Sequence, residues 1–292
     1  MGKSLKAISL PLLLVTVICL SVIAGCQPPV SQEETEQILA EAISILENID
    51  SYKASLDLRT NLDVIGGTEE GSVSYRMLLE AVVDRGNSAS ELIFNIIIGR
   101  NVRDAQDAAE ENIETYLFGD YIYAQLPTPD AGLVWYKAPV SENSIDTYDI
   151  DIIDQQILPL ESPAGIKALR YESYGGSECL VIEVVPDKKN MIGWISELKV
   201  TDLPIGPEDL ELLKEILKDP TYILWIAEDT GYIKKVTGEI RLEISPSDFN
   251  LSEDFFDEMT IDTTLNIEIF EYNQSVNIEL PEAALDAKEL AF

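Results

Sequence analysis

From Tyr52 to Val64 the chain reads YKASLDLRTNLDV, and Tyr52, Ala54, Leu56, Leu58, Thr60, Leu62 and Val64 take every second place. Successive strand residues point to opposite faces, so this alternation predicts a long strand with one apolar face. The pattern returns in SVSYRMLLEAVV and ELIFNIII, after the turn-forming stretches GGTEEG and DRGNSA. That arrangement predicts antiparallel strands joined by hairpins. IETYLFGDYIYAQLP resumes it with a tight turn at Gly119-Asp120, and LVWYKAP follows. In the second half ALRYESYGGSECLVIEVVPD turns at Gly175-Gly176. TYILWIAEDTGYIKKVTGEIRLEI forms another hairpin, with Val236, Gly238, Ile240, Leu242 and Ile244 on one side. TLNIEIFEYNQSVNIELP reads as the last strands, stopped by Pro281.

Helices are few. Ser31 with Glu34 forms a capping-box pattern, and Ile38, Leu39, Ala42, Leu46 and Ile49 recur at helical spacing, so a helix is predicted over 32–49. Met191, Ile192, Ile195 and Leu198 predict a second. Gly206-Pro207-Glu208-Asp209 opens a third, with proline and acids where a helix start favours them. Too few helices exist to cover both faces of a doubly wound sheet. The expected fold is α+β, a large curved antiparallel β-sheet (a half-barrel) wrapped around a few helices. One domain is expected over 32–281, with a loose tail over 282–292. The polar residues 100–112 read as a surface loop or short exposed helix, and the acidic stretch 141–165 is left unassigned.

The N-terminus sets location. Lys3 and Lys6 precede an apolar run from Ile8 to Gly25, which has the shape of a signal peptide. A retained membrane-spanning helix and ordinary secretion are the other readings of such a run. Ile23-Ala24-Gly25-Cys26 resembles the lipobox of bacterial lipoprotein precursors. That resemblance implies removal of 1–25, transfer of diacylglycerol to the Cys26 thiol and a third acyl chain on its amine. One acyl chain binds membranes reversibly, whereas two or three hold firmly. Residues 26–31 would then be a tether, kept extended by Pro28 and Pro29. The expected location is extracytoplasmic, on the outer face of the cell membrane, or on the periplasmic side where there are two membranes.

Composition excludes several classes. With 53 acidic against 20 basic side chains, the formal charge is −33, which makes nucleic acid a poor partner. There is no histidine, hence no histidine–metal site and no Ser-His-Asp triad. Of three cysteines, Cys19 leaves with the signal, Cys26 takes the anchor and Cys179 sits alone in a strand-like run as core filler. Asp146, Asp149, Asp151 and Asp154 match no calcium-loop spacing. DFNLSEDFFDEM begins like an EF-hand but has Glu253 in place of the turn glycine and Met259 in place of the last glutamate. No metal, cofactor or catalytic residue is assigned, and the chain is not expected to be an enzyme.

The strand pairs YKASLDLRTNL, YLFGDYIYAQLP with LVWYK, YGGSECLVIEVVPD and ILWIAEDTGYIKKVTGEI, closed by VNIELP, resemble the half-open-barrel lipoproteins. That group includes the outer-membrane lipoprotein carrier and receptor and the glycolipid-carrying mycobacterial lipoproteins. The resemblance spans roughly residues 32–281. It implies a sheet curled around helices with apolar space between them. It makes Leu56, Leu58, Leu79, Phe94, Tyr123, Trp135 and Trp225 candidates for lining that space or for core. Tyr116, Tyr121, Tyr123, Trp135 and Tyr136 also read as plain cross-strand packing. The function expected is a membrane-anchored monomer that binds a lipid or other apolar ligand. A non-catalytic structural or protein-interaction lipoprotein is the alternative. If Cys26 carries the anchor, Cys26→Ser abolishes incorporation of radiolabelled palmitate in a bacterial host and releases the chain from the membrane fraction.

Overall fold

The computed structural model describes residues 30–67, 70–87, 89–100, 109–128, 132–140, 160, 163–197, 207–249, 252, 254 and 256–289. For 94–100, 109–112, 193–197, 207–210 and 249 it describes the backbone alone. The expected signal peptide, Cys26, most of the tether, and residues 101–108 and 141–159 lie outside the described residues.

Helix α1 (Gln32–Glu47) leads into β1 (Ser51–Ile65), β2 (Gly71–Asp84), β3 (Ala89–Arg100), β4 (Ala109–Phe118), β5 (Tyr121–Thr128) and β6 (Gly132–Pro139). The second half adds β7 (Pro163–Tyr174), β8 (Ser177–Pro186), α2 (Lys188–Glu197), α3 (Pro207–Ile216), β9 (Thr221–Ala227), β10 (Ile233–Ile244) and β11 (Glu258–Phe270). A one-turn helix α4 (Glu282–Leu285) and the short β12 (Lys288–Glu289) end it. The strands form one 12-stranded sheet in the order β12-β6-β5-β4-β3-β2-β1-β11-β10-β9-β8-β7. Strand β1 therefore sits between the two halves of the chain. Neighbours are antiparallel except β12, which lies parallel to β6. The sheet does not close on itself. It is the curved half-barrel of an α+β fold that the alternation predicted.

Register fixes what each face carries. Leu56 stands opposite Leu79 on one side and Ile267 on the other, and the row continues through Val236, Leu224 and Ile182. Helix α1 lies on this inner face. Ser31 caps it by accepting the Glu34 N–H at 3.2 Å. Its Leu39, Ala42, Ile43 and Leu46 pack into one core with Tyr52, Ala54, Leu56, Leu79, Ile182, Leu224 and Ile267. Lower on the same face, Met191 and Ile192 of α2 pack with Leu213 of α3 against Ile240 and Leu242. Ile216 of α3 packs with Ile244, Met259, Ile261 and Val64.

Three expectations need correction. Residues 109–112, read as part of a polar loop or helix, belong to β4, where Glu110 and Asn112 pair with Ile97 and Asn95. Ladder bonds use backbone, so a polar strand segment is permitted. Residues 274–281 are not a strand, although Val276, Ile278 and Leu280 alternate. Both sides of β1 are already occupied, by β2 and β11. Instead Glu271 and Asn273, with φ of 53° and 51°, turn the chain outward. The Asn273 N–H donates to Ser51 O at 2.8 Å, and Ser51 Oγ donates to Gln274 O at 2.7 Å. The chain then crosses the outer face. Ile278, Ala284 and Ala287 pack on Ala89, Tyr116 and Trp135, and β12 pairs with the edge at Tyr136 and Lys137. The tail is thus docked through residue 289, because its small apolar residues cover aromatic rings that would otherwise face water.

Gly238 shows how tightly the inner face is packed. A Cβ there would lie 2.9 Å from Tyr222 Cε1, and Tyr222 is fully buried. Glycine lets the cross-strand ring lie over the backbone. Gly238→Ala should lower stability by about 1–3 kcal/mol, the usual cost of overpacking, as measured by urea denaturation.

Candidate functional site

Charge divides cleanly between the two faces. On β1, β2, β5, β6 and β11, and on β10 from Val236 onward, every inward position of the described side chains is uncharged, as alternation and register together show. The outward positions carry the ions. Asp57 accepts from Arg59 Nε and Nη2 at 3.2 and 2.7 Å and from Arg76 Nε and Nη2 at 3.0 and 2.9 Å. The two guanidiniums, Arg76 first, hold its carboxyl well below the usual carboxylate range. Arg241 similarly bridges Glu243 and Asp262.

The inner face is covered unevenly. Under α1, Leu56 and Leu79 are only 6% and 3% exposed, so these two candidates are packed core. Leu58 and Met77 lie at the margin of that core, half-buried. Next come Thr60, Leu62, Val73 and Thr263, all half-buried, and Tyr75, which is 45% exposed. They form a band between the cover given by α1 and that given by α2 and α3. On β5 and β6 the inward Ile122, Ala124, Val134 and Tyr136 are also half-buried, and Leu126 is exposed. An apolar face left partly wet gains free energy when a hydrocarbon covers it, roughly 25 cal/mol per Å².

Register separates the aromatic candidates from this face. Tyr123 and Trp135 are outward. Trp135 packs with Tyr116, ring centroids 5.8 Å apart, beneath the C-terminal segment, with Tyr123 at the margin of that cluster. Trp225 is also outward, opposite Val181 and Lys235, and packs with Cys179, Val181 and Ala227. The Lys235 ammonium lies 5.1 Å from its ring centre. These three therefore cannot line a space on the helix side; of the two alternatives drawn from resemblance, Trp135 and Trp225 take the core one, as buried members of clusters on the outer face. Phe94 stands in register with Leu79, in the same row as Leu56, and its side chain lies outside the described ones. Cys179 is buried, and burial pushes its thiol pKa up, away from nucleophilic use. Among the described residues no cluster of acids and thiols is placed to hold a metal ion, and no helix is long and apolar enough to cross a membrane.

Sequence reasoning missed Thr60, Leu62, Val73, Tyr75, Met77 and Thr263 as a group. Each follows the alternation, but which inward residues stay wet depends on where the helices end.

No family model and no curated protein matches the chain. Solved structures similar to it include LprF from Mycobacterium bovis, at 13% identity and a TM-score of 0.46, covering 87% of this chain and 99% of that one. The lipoprotein LppX of Mycobacterium tuberculosis is similar at 12% identity and a TM-score of 0.39, covering 85% and 100%. A domain assigned to outer-membrane lipoprotein sorting, from Vibrio parahaemolyticus, is similar at 10% identity and a TM-score of 0.22, covering 85% and 95%. Mycobacterial lipoproteins and a lipoprotein-sorting domain are the group that the strand pairs of the sequence resemble. Identities this low and TM-scores below 0.5 leave function to be read from this chain's own residues.

The Asp57 clamp gives a pH test of the outer face. Its carboxyl titrates lower in the folded than in the unfolded chain. Its stabilising contribution is therefore complete above about pH 4 and is lost as pH falls below that. Asp57→Asn should lower the urea midpoint at pH 7. The gap to the unsubstituted protein should narrow progressively as the pH falls below about 4.

Proposed function

We propose that the chain is an extracytoplasmic lipoprotein, anchored through Cys26, whose half-covered inner face binds a lipid or other apolar ligand without catalysis. The observation that carries this reading is the charge-free, partly wet band from Leu58 to Leu62 on β1 and from Val73 to Met77 on β2. The anchor at residue 26 precedes α1, which starts at residue 32, so the body stays within a short tether of the bilayer. The excess of acidic side chains, a formal −33 over the full chain, opposes close contact with an anionic surface. Lipid would then reach the band by leaving the bilayer, which an apolar receiving face favours. On the outer side of the same two strands, Asp57, Arg59 and Arg76 carry paired ions instead. The body is proposed to act as a monomer.

The test is native mass spectrometry of the chain from Gln27 onward, purified from bacteria without detergent. A stoichiometric extra mass, released as lipid on denaturation, is the expected result. A clean mass that stays unchanged after incubation with phospholipid and neutral lipid would leave the fold as a scaffold and favour a structural or protein-interaction role. Leu62→Lys places a charge in the band and should lower lipid occupancy at least about tenfold. The equivalent change on the outer face, Asn61→Lys, should leave occupancy unchanged.

A further inference from the structure

Three hydroxyls stand side by side in the band. Tyr75 on β2 is opposite Thr60 on β1, and Thr60 is opposite Thr263 on β11. Thr60 Oγ1 and Thr263 Oγ1 are 3.1 Å apart. Two hydroxyls bonded to each other use one proton and leave the other free to donate outward. Tyr75 adds a phenolic O–H on a side chain that is 45% exposed. Strands lie about 4.8 Å apart, so the row spans roughly 10 Å. The rows on either side are apolar, Met77, Leu58 and Leu265 on one and Val73, Leu62 and Ile261 on the other.

Three kinds of ligand can be compared on this surface. An ionised headgroup would lose water and find no opposite charge at any inward position of these strands, which strongly disfavours it. The excess of acidic side chains further repels an anion. A bare hydrocarbon would cover the hydroxyls and leave their protons without acceptors. An uncharged acceptor avoids both penalties. Its carbonyl oxygen takes the free protons while its chains lie along the apolar rows.

We propose that Tyr75, Thr60 and Thr263 form the polar subsite of the lipid site and select an uncharged, ester-bearing lipid over both charged amphiphiles and plain hydrocarbon. The proposal rests on the apolar-ligand reading above. The experiment compares dioctanoylglycerol with its dioctyl ether analogue, which lacks the carbonyls, on the full chain held in amphipol. Binding is read by native mass spectrometry. The unsubstituted chain should prefer the ester about tenfold, the gain expected from one or two hydrogen bonds. The triple variant Thr60→Val, Thr263→Val, Tyr75→Phe should bring the ratio close to one. The double variant Thr60→Ser, Thr263→Ser keeps the hydroxyls and should retain the preference. Equal binding of ester and ether by the unsubstituted chain, or a preference that survives in the triple variant, overturns the subsite alone. Uptake of neither probe overturns the apolar-ligand reading, and the subsite with it.

Discussion

The ladder of β1 is the interaction on which the rest of the structure depends. It pairs along nearly its whole length with β2 on one side and β11 on the other, so it joins an early strand to a late one. A contact between residues this far apart in sequence is costly in chain entropy and has to be supported by many backbone bonds formed together. Once it forms, the hairpins of both halves extend outward from it in order. The strict alternation along β1 then sets the parity of every neighbouring strand, since a slip of one residue would turn each apolar side chain to water.

That parity produces a sheet with two unlike faces. One carries paired ions, such as the clamp on Asp57 and the bridge at Arg241. The other has no charge on its central strands and is roofed by helices that do not span it. Where α1 covers it, Leu56 and Leu79 are ordinary core. Where no described helix reaches, Leu62, Val73 and Tyr75 stay partly wet. The proposed site is therefore a consequence of incomplete cover, and its proposed polar part is one row of hydroxyls instead of a charge.

The C-terminal segment bears on the same architecture from outside. Strand β5 meets β4 only from Thr115 to Phe118, whereas β3 and β4 pair from Ala89 to Ile98. The hairpin of β5 and β6 is thus joined to the sheet by a short ladder. Residues 271–289 reinforce it, tied to Ser51 at one end and to β6 at the other, with Ile278, Ala284 and Ala287 packed between. Covering Tyr116 and Trp135 and supporting the edge are the same act of packing.

The sequence alone determined the long strands, the turns at Gly119-Asp120 and Gly175-Gly176, the three main helices and the α+β class. Each of these is a local matter of period, cap or turn residue, and local physics is written in neighbouring residues. It also placed Leu56 and Leu58 on one face of their strand. Tertiary structure alone decided that Tyr123, Trp135 and Trp225 belong to the opposite face. Those residues lie on strands whose parity relative to β1 passes through several registers that no local pattern states. It likewise decided that the alternating residues after Asn273 cross the outer face instead of adding a strand, because β1 had no free edge left. Which inward residues remained wet depended on the reach of α1, α2 and α3 over the sheet, a property of packing between distant segments.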